Sequence, residues 1–344
     1  KSRIPVAPVN ARNLWSIVKA GRGSHMTVNA RPAVLNKIVR RAALRLRAHD
    51  LDMASHQTDS PFQAEQLRFA KQFLAKNRTA VINAGAAPGL PNLLVARSTG
   101  LLDEIDSVHI RLFESTGSDE PVAQWSSDAA FDEAVSRPRV YRNGRFHFGK
   151  RFGEREAFRF ARPVGAVPVM LAAQDEVVTL PRFIKMREID VKIGGNDFDR
   201  LRRWYLQGRL RKGRAPGAKR FPQTPTPRQV ARLVARGIYY NARFAVAVVV
   251  SGRKDERRAV IRWDVAFPTL QQIRRREVYT SPIAWATAHL AALFVKHFPR
   301  DLPGVHPPEA LPAKNRQAVL TDARAYGIRI SRRFTLLQPI EDEE

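Results

Sequence analysis

A turn rich in glycine and proline places the strongest constraint on how this chain folds. The short apolar run at residues 79–82 ends in Asn-Ala-Gly-Ala-Ala-Pro-Gly-Leu-Pro-Asn-Leu-Leu, at residues 83–94. An apolar run that stops at such a turn indicates a buried strand leading into a helix. In an open α/β sheet this junction lies beside the crevice where ligands bind, although an ordinary connecting loop has the same pattern.

The chain before and around this turn alternates between strand and helix patterns. In chain order, we predict a helix at 12–20, a strand at 26–30, a helix at 33–47, a strand ending in Asp52, a helix from Ser60 and Pro61 to about Ala75, a strand at 79–84 and a helix after Pro91. Such alternation is typical of a parallel sheet whose strands are joined by helices.

Longer strand patterns dominate the chain after residue 100. In chain order, we predict strands at 106–114 and 189–193, a connector at 216–227, a helix at 228–235, a hairpin with strands at 243–250 and 258–265 around a loop at 252–256, and an apolar helix at 282–295. We expect most of these strands to be antiparallel, because their apolar and polar residues alternate.

Several short segments in this order resemble the saccharopine dehydrogenase-like oxidoreductases. They are Thr-Val-Asn-Ala-Arg-Pro at 27–32, Ala-His-Asp-Leu-Asp-Met-Ala-Ser at 48–55, the strand and turn at 80–90, Glu-Val-Val-Thr-Leu-Pro-Arg at 176–182 and Gly-Val-His-Pro-Pro-Glu-Ala-Leu at 304–311. The resemblance implies an α/β fold, a partial Rossmann-like parallel sheet with an inserted α+β domain. It places the incomplete Rossmann-like domain at residues 1–100 and 275–334, an α+β substrate or dimerisation domain at 101–274, and an acidic tail at 335–344.

The same resemblance implies an NAD(P)-dependent oxidoreductase that acts on an amino-acid-derived imine, amine or carbonyl. It implies a cofactor site at Asn29, Ala30, Pro32, Pro88, Gly89 and Leu90. Asp52 and His56 are the candidate catalytic residues, because carbonyl or imine reduction needs a proton donor beside the hydride acceptor. The alternative is that Asp52 caps the following turn and that His56 is a solvated loop residue.

Glu176 and Arg182 are the candidate residues for binding a small amino-acid-like substrate. An arginine can hold a substrate carboxylate through two parallel hydrogen bonds. In a chain with this many arginines, Arg182 is equally compatible with ordinary surface charge.

One part of the family pattern is missing from the sequence. No G-x-G-x-x-G turn occurs, and the nearest match, at residues 21–26, lacks the third glycine. Residues 23–26, Gly-Ser-His-Met, read like a cloning scar, and a coincidental natural match is the equal alternative, because residues 27–60 continue the family pattern. Residue 1 is Lys, so we expect a chain that is processed, truncated or recorded without its first portion. The missing turn leaves a second hypothesis open: a catalytically inactive, basic relative that serves as an RNA-binding or structural subunit of a ribonucleoprotein assembly.

The charge of the chain supports that second hypothesis. Fifty-nine Lys and Arg against 32 Asp and Glu give a net charge of +27, which favours a polyanionic partner such as RNA or an acidic protein assembly. Arginines mixed with aromatic residues suit phosphate contacts and base stacking, and a solvated basic surface has the same composition. The candidate nucleic-acid-binding residues are Arg200, Arg202, Arg203, Trp204, Arg209, Arg211, Lys212 and Arg214.

Other classes of function find no motif in the sequence. The chain has no cysteine, no H-E-x-x-H, no G-x-S-x-G and no Walker A sequence, so we expect no metal site. Its apolar runs are shorter than the roughly 18 residues that a membrane span requires. We therefore expect a soluble or peripherally bound protein of the cytoplasm or an organellar matrix, and residues 224–233 are a possible homodimer contact.

Overall fold

Two β-sheets organise the chain. A computed structural model describes residues 5–56, 62–118, 124–210, 225–239 and 241–337, and of residues 127–129 it describes the backbone only. The strands are β1 (Met26–Asn29), β2 (His49–Asp52), β3 (Thr79–Val81), β4 (Glu104–Ser115), β5 (Arg139–Arg142), β6 (Arg145–Phe148), β7 (Glu156–Arg159), β8 (Ala166–Leu171), β9 (Glu188–Gly194), β10 (Arg243–Lys254), β11 (Arg257–Ala266), β12 (Gly304–His306) and β13 (Arg329–Leu336).

Helices connect these strands and cover the sheets. The α-helices are α1 (Leu14–Ala20), α2 (Asn36–Leu46), α3 (Ala70–Ala75), α4 (Leu90–Ser98), α5 (Ser127–Val135), α6 (Glu176–Phe183), α7 (Asn196–Leu206), α8 (Pro227–Ala235), α9 (Leu270–Arg274), α10 (Pro282–Lys296) and α11 (Ala313–Asp322). Short 3₁₀ helices occur at Ala33–Leu35, Glu65–Phe69, Pro308–Ala310 and Ala323–Tyr326. Within the described ranges, no helix is both long enough and apolar enough to cross a membrane.

The first sheet is parallel and has the strand order β1-β2-β3-β12. The α2 helix connects β1 to β2 and packs on both of them through Val39, Ala42 and Ala43. After a long excursion the chain returns to this sheet, where residues 304–306 of β12 pair in parallel with β3. All four strands therefore end at the same edge of the sheet.

The second sheet is mixed and has the order β13-β11-β10-β4-β9-β5-β6, with β8 also pairing with β9 and β7 pairing with β8. Phe244, Val246 and Val248 of β10 pack in the main core with α4 and α10. On the opposite face of β10, Ala247 packs against Val169 of β8. The sheet is therefore covered by helices on one face and by the β7–β8 hairpin on the other.

The structure confirms the predicted fold class, an α/β protein with a partial Rossmann-like parallel sheet and an inserted α+β region. The division into domains at residues 100 and 275 stays a prediction. The last strand, β13, joins the mixed sheet beside β11 rather than the parallel sheet. Thr335 and Leu336, which we expected in the acidic tail, belong to this strand, and residues 338–344 lie outside the described ranges.

The structure bears on three local predictions. Residues 60 and 61, the expected start of a helix, lie outside the described residues, and the described helical structure begins as a 3₁₀ turn at Glu65. Most of the strand pairs in the mixed sheet are antiparallel, as predicted, whereas β4 and β9 pair in parallel because the chain crosses over between them. The predicted hairpin is confirmed, and its loop is shorter than 252–256: it is a two-residue turn, in which Asp255 and Glu256 have φ of 48° and 62°. Left-handed residues at both positions match the twist of the paired strands.

The glycine that we predicted in the hairpin loop belongs to a strand instead. Gly252 lies inside β10, where the register with β4 shifts between Ser251 and Gly252. A Cβ atom at Gly252 would lie 1.9 Å from the backbone oxygen of Glu104. The glycine therefore allows the two strands to approach each other closely at an irregularity in the pairing.

Replacing Gly252 by alanine tests whether the close approach of β4 and β10 requires a glycine at this position. We expect Gly252→Ala to lower the free energy of unfolding by about 1–3 kcal/mol, because the new methyl group must displace the β4 backbone. Urea unfolding followed by circular dichroism measures the change. Gly100→Ala is the matched control, since its Cβ would meet the backbone oxygen of Arg97 at an ordinary 3.8 Å. Equal effects of the two substitutions would contradict the assignment.

Candidate functional site

Polar side chains gather where three neighbouring parallel strands end. Asn29, Asp52 and Asn83 close or follow β1, β2 and β3, and each has at most 5% of its surface exposed. Since the strands are parallel and adjacent, these three residues share one edge of the sheet. The resemblance in the sequence placed a ligand at this edge.

Asp52 is held by a buried cation. Arg40 of α2 donates from Nη2 to Asp52 Oδ2, and its Nε lies 3.0 Å from Asp50 Oδ2, with all three side chains 1% exposed. The other carboxylate oxygen of Asp52 accepts a hydrogen bond from the backbone N–H of Asn83 at 3.0 Å. Asp52, a candidate catalytic residue, therefore ties α2, β2 and β3 together beneath the edge of the sheet.

Arg40 is a site residue that the sequence reasoning missed. The signal was present: Asp50 and Asp52 lie two residues apart on a buried strand, so both point to the same face. Two buried carboxylates on one face require a buried cation nearby. Arg40 is the arginine inside the otherwise apolar surface of the adjoining helix.

A network of hydrogen bonds continues from Asp52 across the strand ends. Asn83 Oδ1 accepts from Ser55 Oγ at 3.0 Å and from Gln66 Nε2 at 3.3 Å. The backbone N–H of Ser55 donates to Asp175 Oδ2 at 2.9 Å, which connects this edge to the start of α6. The Nδ2 atom of Asn83 is buried without a partner among the described residues. Asn83 itself has φ of 56°, a left-handed conformation that asparagine tolerates.

The turn at residues 85–89 is packed against itself. A Cβ at Gly89 would lie 2.1 Å from the Gly85 backbone oxygen, and Gly89 has φ of 131°, so both space and conformation require glycine there. Pro88, Gly89 and Leu90, predicted to contact the cofactor, are buried, while Ala87 is half-buried. The glycines therefore allow a close approach of backbone to backbone within the turn.

His56 and Asp132 form an accessible pair at the rim of this edge. His56 Nδ1 lies 3.5 Å from Asp132 Oδ2 of α5, and the two side chains are 29% and 40% exposed. The hydrogen bond to Asp132 raises the pKa of His56 above its ordinary value, against the opposing effect of partial burial. A histidine that a neighbouring carboxylate favours in its protonated form, and that is reachable from solvent, can act as a proton donor.

Buried carboxyl groups lie behind the network. Glu176, at the start of α6, is fully buried, and neither of its carboxylate oxygens has a partner among the described residues. Burial raises the pKa of Glu176 to about 8 and the pKa of Glu309 to about 7. Burial also raises the pKa of Glu133, and the neighbouring Glu114 adds to that effect. The sequence analysis singled out Glu176 but not its buried acidic neighbours, because the members of the cluster come from separate elements.

The predicted substrate residues, Glu176 and Arg182, are not brought together. They lie at opposite ends of α6, about 9 Å apart along its axis at the usual helical rise. Arg182 donates from Nε to the backbone oxygen of Val178 at 3.1 Å and from Nη2 to that of Phe62 at 2.6 Å. Its guanidinium also lies 5.5 Å from the ring centre of Phe146.

Only some of the predicted nucleic-acid-binding residues are exposed to solvent. Arg200 is 7% exposed and donates to Asp197 Oδ1, so its charge is already compensated. Arg202 and Trp204 are half-buried, whereas Arg203 and Arg209 are exposed. The remaining three predicted residues, Arg211, Lys212 and Arg214, lie outside the described ranges.

Four small or apolar residues at the strand ends are at least partly accessible. Ala30 is exposed, and Pro32, Ala54 and Ala87 are half-buried. The G-x-G-x-x-G turn that holds the pyrophosphate in dinucleotide-binding sheets does not occur in the sequence. The described part of the chain also holds no group of three or more His, Cys, Asp or Glu side chains arranged for a metal ion.

Replacing Arg40 tests the ion pairs beneath the site. We expect Arg40→Met to lower the free energy of unfolding by about 3–5 kcal/mol, because it leaves two carboxylates buried without a cation. Arg41→Met removes the same charge from the adjacent, exposed position and should change it by roughly 0.5 kcal/mol or less. Urea unfolding measures both, and a loss below about 1 kcal/mol for Arg40→Met would rule out a strong buried ion pair.

Replacing Glu176 tests the buried carboxyl cluster through its pH dependence. Glu176 has an ordinary pKa of 4.5 and a pKa of about 8 in the fold, so between these values the folded state holds a proton that the unfolded state has lost. Stability should therefore fall as the pH rises from 4.5 to 8. We expect Glu176→Gln to reduce this fall. The difference in free energy of unfolding between the variant and the parent protein should move in the variant's favour by about 2–4 kcal/mol from low to high pH. The exposed Glu104→Gln should leave the pH dependence unchanged, and the same slope in all three proteins would contradict the assignment.

Comparisons with known proteins agree with this architecture. No family model matches the sequence, and no curated protein matches it significantly. Among solved structures, the chain is similar to apo histidine-tagged saccharopine dehydrogenase (L-Glu forming) from Saccharomyces cerevisiae, with a TM-score of 0.66 and 12% sequence identity over 95% of this chain and 88% of that one. GenD2 from gentamicin A biosynthesis in complex with NAD has a TM-score of 0.33 and 11% identity over 91% of this chain and 78% of that chain. A putative oxidoreductase from Thermotoga maritima has a TM-score of 0.32 and 10% identity over 94% of this chain and 83% of that chain. The first of these similarities establishes that the chain shares the Rossmann-type α/β fold of the yeast enzyme.

Proposed function

We propose that this protein is an NAD(P)-dependent oxidoreductase of the saccharopine dehydrogenase-like kind, acting on an amino-acid-derived imine, amine or carbonyl. The observation that carries the proposal is the polar network at the ends of β1, β2 and β3, with the His56–Asp132 pair at its accessible rim. In open parallel sheets this edge is where ligands bind. The fold shared with yeast saccharopine dehydrogenase adds support.

His56 is the proposed proton donor. When bound, the reduced cofactor supplies a hydride to the carbon of the substrate's C=N or C=O bond. The imidazolium of His56 gives its proton to the nitrogen or oxygen of that bond, so the product is an amine or an alcohol and the histidine becomes neutral. Asp132 favours the protonated form of the imidazole, because the hydrogen bond between them raises the pKa of His56.

Asp52 is proposed to position the site rather than to react. Its carboxylate is buried and already accepts hydrogen bonds from Arg40 and from the backbone of Asn83. Through these contacts it fixes the ends of β2 and β3 relative to each other. Ala30, Pro32 and the half-buried Ala87 are proposed to border the nicotinamide ring, with the buried residues of the turn supporting them from behind.

Cofactor binding and turnover test the proposal together. The purified chain should quench or shift NADPH or NADH fluorescence with a saturable dependence. It should also oxidise the nicotinamide in the presence of an amino acid and a 2-oxo acid that condense to an imine. The proposal would be contradicted if neither NADPH nor NADH binds and the reduced mononucleotide alone does not bind at millimolar concentration either.

Variants of the histidine pair test the assigned roles. We expect His56→Asn to lower kcat/KM by about 10²-fold and to leave cofactor affinity unchanged, because only proton transfer is lost. Asp132→Asn should move the alkaline limb of the pH–rate profile to lower pH, since it removes the group that raises the pKa of His56. His147→Asn changes an exposed histidine of β6 and should leave both quantities as they are. An active His56→Asn enzyme with an unchanged pH profile would remove His56 from the mechanism.

A further inference from the structure

A small cavity far along the chain from the strand-end residues is surrounded by arginine. It has a volume of about 200 Å³ and lies between α4, α11, the 3₁₀ helix at Ala323–Tyr326 and β13. Its floor is apolar, formed by Leu94, Leu320 and Ile330. Around its mouth stand three exposed arginines, Arg97, Arg324 and Arg332.

A buried tryptophan lies close to two of these arginines. The guanidinium carbons of Arg97 and Arg332 each lie 5.8 Å from the ring centre of Trp263, which is 4% exposed. The indole N–H of Trp263 donates to Ser98 Oγ at 2.9 Å, which orients the ring. Arg97 also donates to Gln317 Oε1 at 2.6 Å. Contact with one ring therefore keeps two positive charges near the cavity.

Among the residues that the structure describes, the three arginines have no compensating charge. No acidic side chain lines the cavity, and among the described residues no carboxylate forms an ion pair with Arg97, Arg324 or Arg332. The nearby acids are engaged elsewhere: Asp322 pairs with Lys296 and His297, and Asp264 pairs with Arg262. Three like charges around one cavity repel each other unless an anion joins them.

We propose that this cavity binds a phosphoryl group, as a phosphate monoester or diester. A single carboxylate carries one charge and two acceptor oxygens, which one guanidinium satisfies through its paired N–H groups. A phosphate monoester carries close to two charges and three acceptor oxygens, and so can engage several guanidiniums at once. The hydroxyl of Thr321, which accepts from Gln317 Nε2 at 3.0 Å, retains its own hydrogen for donation to such a ligand.

Titration with phosphorylated probes tests the proposal. We expect inorganic pyrophosphate or AMP to bind the intact chain with a measurable heat in isothermal titration calorimetry, and succinate at the same concentration to bind at least tenfold more weakly. Arg324→Gln should weaken phosphate binding about tenfold, because one charge-assisted hydrogen bond is lost. Among the described residues, the arginines stacked on Trp263 at this cavity are Arg97 and Arg332, so this variant removes neither of those cation–π contacts.

Arg329→Gln provides the matched control. Arg329 is an exposed arginine of β13. Because successive side chains of a strand point to opposite faces, Arg329 lies on the face opposite Ile330 and Arg332, which line the cavity. We expect this control to change phosphate affinity less than twofold. Equal losses from Arg324→Gln and Arg329→Gln, equal binding of succinate and pyrophosphate, or no binding of any phosphorylated probe would each overturn the proposal.

A labelled oligouridylate of about 12 nucleotides separates the two sources of the phosphoryl group. If the oligonucleotide binds much more tightly than AMP, and pyrophosphate displaces it, the site takes the phosphodiester backbone of a nucleic acid. In that case Arg324→Gln should also reduce the slope of log affinity against log salt by about one. If AMP and pyrophosphate bind and the oligonucleotide binds no more tightly, the site takes a small phosphorylated molecule.

Discussion

The buried ion pair between Arg40 and the two aspartates of β2 is the interaction on which the strand-end site depends. Arg40 reaches from α2 to Asp50 and Asp52 in a place where all three side chains are almost fully excluded from water. Charges buried to this degree are stable only as a group, because each alone would have a large desolvation penalty. These two ion pairs therefore fix the position of α2 on the sheet. Asp52 also accepts a hydrogen bond from the backbone N–H of Asn83, which fixes β2 relative to the end of β3.

The same exclusion of water shapes the chemistry of the surrounding acids. Glu176 and Glu309 are fully buried behind the strand ends, and burial raises their pKa values to about 8 and about 7, against the opposing effects of Arg139 and Arg316. His56 and Asp132, by contrast, stand at the rim, where both remain partly exposed. There the hydrogen bond to Asp132 raises the pKa of His56, so burial and hydrogen bonding act on different groups at the two depths.

Much of the architecture could be predicted from local patterns, and the site could be predicted only in part. The strands around residues 26–30, 49–52, 79–82 and 243–265 have clear apolar patterns, and the structure confirms them. The parallel pairing of β4 with β9 could not be predicted, because it depends on contacts between residues about 80 positions apart. Asp175 and Glu309 were missed for the same reason: each acquires its role from partners on other elements. Arg40 was missed although the two aspartates of β2 indicated a buried cation. The sequence also did not show that Gly89 and Gly252 permit a close approach of the chain to itself.

A nicotinamide cofactor bound at the ends of β1, β2 and β3 would protect those strand ends from exchange with solvent. Hydrogen–deuterium exchange measured by mass spectrometry, with and without saturating NADPH, tests this directly. We expect slower exchange in peptides that cover residues 29–35 and 53–56, with little change in the mixed sheet. Saturable NADPH binding that protects only residues 317–332, around the arginine-lined cavity, would contradict the proposed cofactor site, as would binding that leaves the strand ends unprotected.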